Sequence, residues 1–409
     1  MDLDALTDQV LARCQEFAGC SDDPECLTRI FLRPATRKVH ALLQGWMLAA
    51  HLQVRIDAIG NMIGSLPAKT ANAPVFLVGS HLDTVPDAGK YDGVLGVLLG
   101  LASVQALGNV PRAIGLDLLA FSEEEGVRYR TPYLGSLAIT GKFGPSHLSL
   151  SDEEGITLEG AVREFGLDPT AIAEAKYARE HVLGYLEAHI EQGPVLEALD
   201  LSLAAVEAIV GQSRRWLSFV GKAGHAGTLP MEFRHDPLSA AAEWIGVTER
   251  TALATPGLRA TVGSLEVRPG AVNVVPGRVR LSLDVRHAED AVREKTLIKL
   301  LDQAKGIAER RGLALQVEQG ADQPAVNCSP DLTEKLTEAL RQCGHRPFSM
   351  ASGAGHDAAV MATLCPMTML FLRSPGGISH HPDEAVRRQD VRAALEVMIC
   401  FLQKVLGSP

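Results

Sequence analysis

His81, Asp83 and Asp92 fall within GSHLDTVPDAGKYDG (79–93), directly after the apolar run Val75, Phe76, Leu77, Val78. Imidazole and carboxylate groups at the end of a buried strand suit a divalent metal. With Asp83 orienting His81 and Asp92 bridging two ions, this stretch begins a dinuclear hydrolase centre, and further ligands are expected downstream. The run FSEEEGVRY (121–129) places Glu123, Glu124 and Glu125 after a second apolar strand. Adjacent carboxylates repel unless a cation collects them, although Glu residues also favour the start of a helix. Because neighbouring side chains diverge, one Glu can bind metal while the next faces the substrate water. EAHIEQGP (187–194) brings His189 and Gln192 close together, and GGISHHPDE (376–384) offers His380 and His381. At most one of these two consecutive histidines faces a given metal, and spacing alone does not choose between them.

The elements that must position these groups read as a layered α/β sheet. Residues 73–80 form a buried strand, 93–107 a small-residue helix and 113–121 a second buried strand. From about residue 203 the pattern changes to strand (204–220), helix (237–253), strand (259–267), strand (277–286), helix (288–311) and strand (313–318). That βαββαβ order is a ferredoxin-like unit. Asp236 before Pro237 is an N-cap with proline at the first helical position, and Leu238, Ala241, Ala242 and Ile245 keep a helical stripe. Val279, Leu281, Leu283 and Val285 alternate with polar residues, so one face of that strand is buried. Helices at 331–342 and 390–406 flank a strand at 367–372, where the sheet domain resumes. The expected organisation is a catalytic domain in two parts, 1–210 and 321–409, with an inserted domain at 211–320. Residues 155–180 read as helical turns near the cleft.

Composition narrows the chemistry. The chain has 409 residues, 46% of them hydrophobic, enough for sizeable cores in two or three domains. A formal charge of -10 without a basic run argues against nucleic acid and anionic membranes as partners and leaves small-molecule substrates. The first residues carry early acids in an amphipathic helical pattern rather than a signal peptide, and no stretch is apolar enough to span a bilayer. Seven scattered cysteines fit a reducing cytoplasm, with Cys20 and Cys26 the pair that an oxidising setting could join. Neither a P-loop nor a G-x-G-x-x-G follows a strand.

The motifs GSHLDTVPDAGKYDG, FSEEEGVRY, EAHIEQGPVLE, GHAGTLPM, NVVPGRVRLSLDVR, SGAGHDA and GGISHHPDE, in this order over about three quarters of the chain, resemble those of one family. It is the amidohydrolase branch of the dinuclear-metal aminoacylase and carboxypeptidase clan. That branch includes allantoate amidohydrolases, N-carbamoyl-L-amino-acid hydrolases and β-ureidopropionases. The resemblance implies a layered α/β metallohydrolase domain with an inserted ferredoxin-like lid and dimerisation domain, a homodimer, and two divalent ions per subunit, Zn2+ or Mn2+. It implies His81, Asp92 and His189 at one ion and Asp92, Glu125 and His380 at the other, with Asp83 behind His81 and Glu124 as general base. The histidine of EAHIEQGP marks the ureido-cleaving branch, where peptidase relatives commonly carry a carboxylate. By the same resemblance, His225 and Asn273 stabilise an oxyanion, His225 in its own or the partner subunit's site. Arg286 would bind a substrate carboxylate, and Gln192 and His356 would touch substrate. The expected reaction is cleavage of a ureido C–N bond in a small acid, with allantoate preferred. An N-carbamoyl-L-amino acid is the alternative, ahead of a dipeptidase or aminoacylase activity or an inactive metal-binding protein.

Overall fold

The computed structural model describes residues 2–70, 73–108 and 112–407. Two compact units divide the chain, one of Met1–Glu207 with Cys328–Pro409, the other of Ala208–Asn327.

In the first unit, strands β1 (Gln53–Ile56), β2 (Met62–Leu66), β3 (Val75–His81), β4 (Gly115–Phe121), β5 (Val182–Ile190) and β6 (Leu203–Ile209) join the strand Met367–Leu372. Their order is β1, β2, β4, β3, β5, Met367–Leu372, β6. Strand β3 runs parallel to β4 and to β5, and β5 runs parallel to the strand Met367–Leu372, whereas the flanking pairs are antiparallel. Four parallel strands therefore end at one edge, the place where an open α/β sheet presents its loops to a ligand. Helix α1 (Leu3–Ala18), α2 (Pro34–Ala49), α3 (Val94–Leu107) and the helix Arg388–Leu406 cover the sheet. α3 is apolar all round because it lies between β3 and β5 on one side and α1 and Arg388–Leu406 on the other. Its approach to the sheet requires Gly96, since a Cβ there would sit 2.1 Å from the Ala188 carbonyl oxygen.

The second unit orders its main strands Leu265–Arg268, Arg278–His287, β7 (Gly211–Val220), Ala314–Glu318, with helices Pro237–Leu253 and Asp290–Arg310 packed on them. Val279, Leu281, Leu283 and Val285 are buried in its core with Trp244, whose indole donates to the Leu300 carbonyl at 2.8 Å. Asp236 caps its helix through the Leu238 N–H at 2.9 Å.

Two expected strands are each divided. The span 204–220 is β6 and β7 in separate sheets, with Val210 the one residue between them and Gly211 opening β7. The span 259–267 is Arg259–Thr261 and Leu265–Arg268, because the Gly263 and Ser264 N–H groups donate to Ser282 Oγ (3.2 and 3.0 Å) instead of a ladder. All seven cysteines are free thiols, Cys20 and Cys26 included. No helix among the described residues is long and apolar enough to cross a membrane.

Candidate metal centre and active site

Each expected ligand of the first unit stands at or beyond the carboxyl end of a parallel strand. β3 ends at His81, β4 runs into Ser122 and the three glutamates, β5 carries His189, and His380 lies on the loop after Met367–Leu372. Asp92 is their meeting point. Its Oδ1 lies 3.3 Å from His81 Nε2 and 3.1 Å from His189 Nε2, and its Oδ2 lies 3.4 Å from His380 Nε2. His380 Nε2 is in turn 3.5 Å from Glu125 Oε1. Two triads share Asp92, one of His81, Asp92 and His189, the other of Asp92, Glu125 and His380.

These distances suit ions. Ligand atoms about 2.1 Å from one cation at near-tetrahedral angles stand about 3.4 Å from one another. The imidazoles are also turned for ligation. His81 Nδ1 lies 3.0 Å from the Asp83 carbonyl oxygen and His189 Nδ1 lies 2.9 Å from that of Ile190. A proton on each Nδ1 leaves the Nε2 lone pairs facing Asp92. Gly93, at φ 66°, gives His81 its room, since a Cβ there would lie 2.4 Å from the ring.

The acidic triplet divides. Glu123 is buried with neither carboxyl oxygen hydrogen-bonded, and it stands outside the metal-capable groups. Glu124 and Glu125 form such a group with His81. Burial raises the Glu124 carboxyl well above its usual range, with Glu125, Asp357 and Asp83 adding to the rise and His81 opposing it. Burial, together with the Asp92 charge, pushes Glu125 up to about 7. Asp92 behaves oppositely: burial would raise it, but His189, His380 and His81 together hold it well below the carboxylate range. No helix starts at the triplet, so the dipole explanation for the glutamates falls away.

Asp83 stands beside His81 and also binds the acidic loop. Its carboxylate accepts from the Glu124 N–H (3.0 and 3.1 Å) and the Glu125 N–H (3.0 Å), and lies 3.5 Å from His81 Nδ1. The nearer partner of that nitrogen is the Asp83 backbone carbonyl, so the side chain chiefly ties the acidic loop to the His81 loop. Gln192 turns its amide to Asp92, donating from Nε2 to Oδ2 at 2.8 Å. His356 is buried at 4.5 Å, edge to face, against His189, with Nε2 2.8 Å from Ser352 Oγ. This is a packing position behind a ligand rather than an open substrate contact. His381 is exposed, accepts from the Asp383 N–H at 3.2 Å, and belongs to none of the metal-capable groups.

Three expected residues lie in the second unit. His225 and Asn273 are exposed on adjoining segments, where Val274 pairs with His225 and the Ala226 N–H donates to the Asn273 carbonyl at 2.9 Å. Arg286 donates to both carboxylate oxygens of Asp284, at 2.8 and 3.1 Å. Residues that the sequence did not single out also support the site. Glu187, on β5 two positions before His189, accepts from Tyr185 OH at 3.0 Å and the Ala358 N–H at 2.9 Å. Glu187 is fully buried on β5, a position that demands partners, and the strand that holds it carried no unbroken apolar pattern to reveal it.

A mixed sheet with a histidine and carboxylate cluster at its carboxyl edge defines a metallohydrolase, and the sequence match agrees: residues 77–404 fit peptidase family M20/M25/M40. The chain belongs to that family, within its amidohydrolase branch. It is 37% identical to allantoate deiminase of Arabidopsis thaliana over 97% of this chain and 82% of the relative. It is 39% identical to the N-carbamoyl-L-amino acid amidohydrolase of Geobacillus stearothermophilus over 91% of each. The crystal structure of a hydantoinase/carbamoylase family amidase from Burkholderia multivorans superposes with a TM-score of 0.93 at 29% identity, covering 98% of both chains.

Proposed function

We propose that the protein is a dinuclear amidohydrolase that cleaves the ureido C–N bond of allantoate, releasing ammonia and carbon dioxide. The observation that carries this reading is His189, the branch-marking histidine, 3.1 Å from Asp92 and turned for ligation. Near-complete coverage by allantoate deiminases supports the substrate.

A ureido carbonyl is a poor electrophile. Two divalent ions, zinc or manganese, held by His81, Asp92, His189, Glu125 and His380, would supply Lewis acidity and acidify a water. Glu124, its basicity raised by burial, accepts a proton from the attacking water and passes it to the departing nitrogen. Asp83 holds the Glu124 backbone for that transfer. His225 and Asn273 contribute hydrogen bonds to the developing oxyanion, and Arg286 reads the acid end of the substrate with its planar fork. Collapse releases ammonia, and the remaining carbamate loses carbon dioxide. The second unit serves as lid and dimerisation domain in a cytoplasmic homodimer.

A second reading, hydrolysis of N-carbamoyl-L-amino acids, is favoured by the 39% identity to the Geobacillus enzyme. Ammonia release from metal-loaded protein offered allantoate or N-carbamoyl-L-amino acids, beside amino-acid release from dipeptides, separates the readings. Turnover of allantoate well above the rest is expected. Inert allantoate beside active N-carbamoyl amino acids selects the alternative, and activity on dipeptides alone rejects both.

A further inference from the structure

Glu384 is 3% exposed and touches both loops that meet at Asp92. Its Oε1 accepts from the backbone N–H of Tyr91 at 2.8 Å and of Asp92 at 3.1 Å. Its Oε2 lies 3.2 Å from Ser379 Oγ, and that hydroxyl donates to Asp92 Oδ2 at 2.8 Å. Gly89 leaves the space for this side chain, since a Cβ there would fall 2.3 Å from the Glu384 Cβ. One carboxyl group thus grips Asp92 at its backbone and, through Ser379, at its side chain.

Ser379 also precedes His380, a non-glycine residue at φ 55°. A left-handed backbone at such a residue is strained and persists where its surroundings over-determine it. The constraint here comes from both flanks, because Ser379 is held between two carboxyl groups and the Glu384 N–H donates to the His381 carbonyl at 3.0 Å. His380 needs that restraint more than the other imidazoles. Its side chain is 48% exposed, against 2% for His81 and His189.

We infer that Glu384 is a positioning residue that clamps Asp92 and His380 into one ligand set, so that the ion at Asp92, Glu125 and His380, held through two of its ligands, depends on it more strongly than the ion at His81, Asp92 and His189, held through one. This rests on the dinuclear reading above. Glu384 itself is not a ligand. What it supplies is a hydrogen-bonded span between loops, and an amide of the same shape preserves that span. In Glu384→Gln the amide oxygen still accepts from Tyr91 and Asp92, and the amide nitrogen donates to Ser379 Oγ, whose proton remains on Asp92.

The test measures zinc content and chelator competition on the full-length wild type, Glu384→Ala, Glu384→Gln and Ser379→Ala, together with the melting of each metal-free protein. Wild type and Glu384→Gln should hold two ions alike. Glu384→Ala should bind the second ion about 10- to 100-fold more weakly, as loss of an outer partner typically does. Ser379→Ala should shift the same way and decides the matter if Glu384→Ala folds poorly. Wild-type binding of both ions by either alanine variant overturns the clamp. So does a loss in Glu384→Gln as large as in Glu384→Ala, because charge rather than shape would then be what matters. A wild-type chain that takes up no second ion sinks the dinuclear reading itself, a result distinct from these.

Discussion

Asp92 and Glu124 show how buried carboxyls are set in opposite senses within one site. Asp92 is surrounded by imidazoles that keep it ionised despite its burial, as a bridging ligand must be. Glu124 is made more basic by burial and by the other carboxyls around it, as a proton acceptor must be. Their neighbour Glu125 lies 3.5 Å from His380 Nε2, so in the proposed reaction successive residues would divide ligation and proton transfer between them. An amide at position 124 keeps the shape and the backbone hydrogen bond to Asp83 but accepts no proton. Glu124→Gln should therefore retain wild-type metal content while turnover falls by about 100- to 10,000-fold, the usual contribution of a general base. Metal analysis beside the ammonia assay checks this, and near-normal turnover in the loaded variant would remove Glu124 from that role.

At the scale of elements, the centre exists because four parallel strands stop together and α3 starts directly above them. Gly93 is the joint between the Asp92 ligand and that helix, in a left-handed backbone with the His81 ring against it. In Gly93→Ala both strain and collision fall on a ligand pair. Zinc binding should weaken by at least about tenfold, read by chelator competition, with the fold retained by circular dichroism. An alanine variant with wild-type affinity would show that the ring can give way freely. Strands β3, β4 and Met367–Leu372 were legible in the sequence because each is a short apolar run. β5 was not read as a strand, since Glu187 and His189 break its apolar pattern with the polar groups the site needs. The division of 204–220 was hidden for another reason: a single residue, Val210, separates β6 from β7, with no turn sequence to mark the change of sheet. The residues of the histidine and carboxylate cluster could be listed from their motifs, but the partners of Asp83 and Glu384 could not, because these hydrogen bonds join loops far apart in the chain.

The stability of the whole molecule against pH combines terms of opposite sign. Burial raises Asp57 to about 6, so its contribution is present below about pH 4 and lost as the pH climbs through 6. His40, on α2, works the other way. It is 4% exposed, its Nε2 has no hydrogen-bond partner, its ring meets Phe165 edge to face, and burial lowers it to about 4, with the Arg37 charge adding to the fall. A histidine kept neutral in the folded chain and free to charge in the unfolded one takes up its proton only on unfolding. Its contribution is complete above about pH 6.5 and is withdrawn as the pH falls toward 4, a change of about 3 kcal/mol at most. The variant His40→Leu fills the same apolar pocket without a titrating group or an unpaired nitrogen. Urea unfolding of the metal-free proteins at pH 7 and pH 4.5 should show wild type losing more stability on acidification than His40→Leu, by about 2–3 kcal/mol. Equal losses in the two proteins would mean that His40 charges without cost in the folded state, and that the acid limit of this fold is set elsewhere.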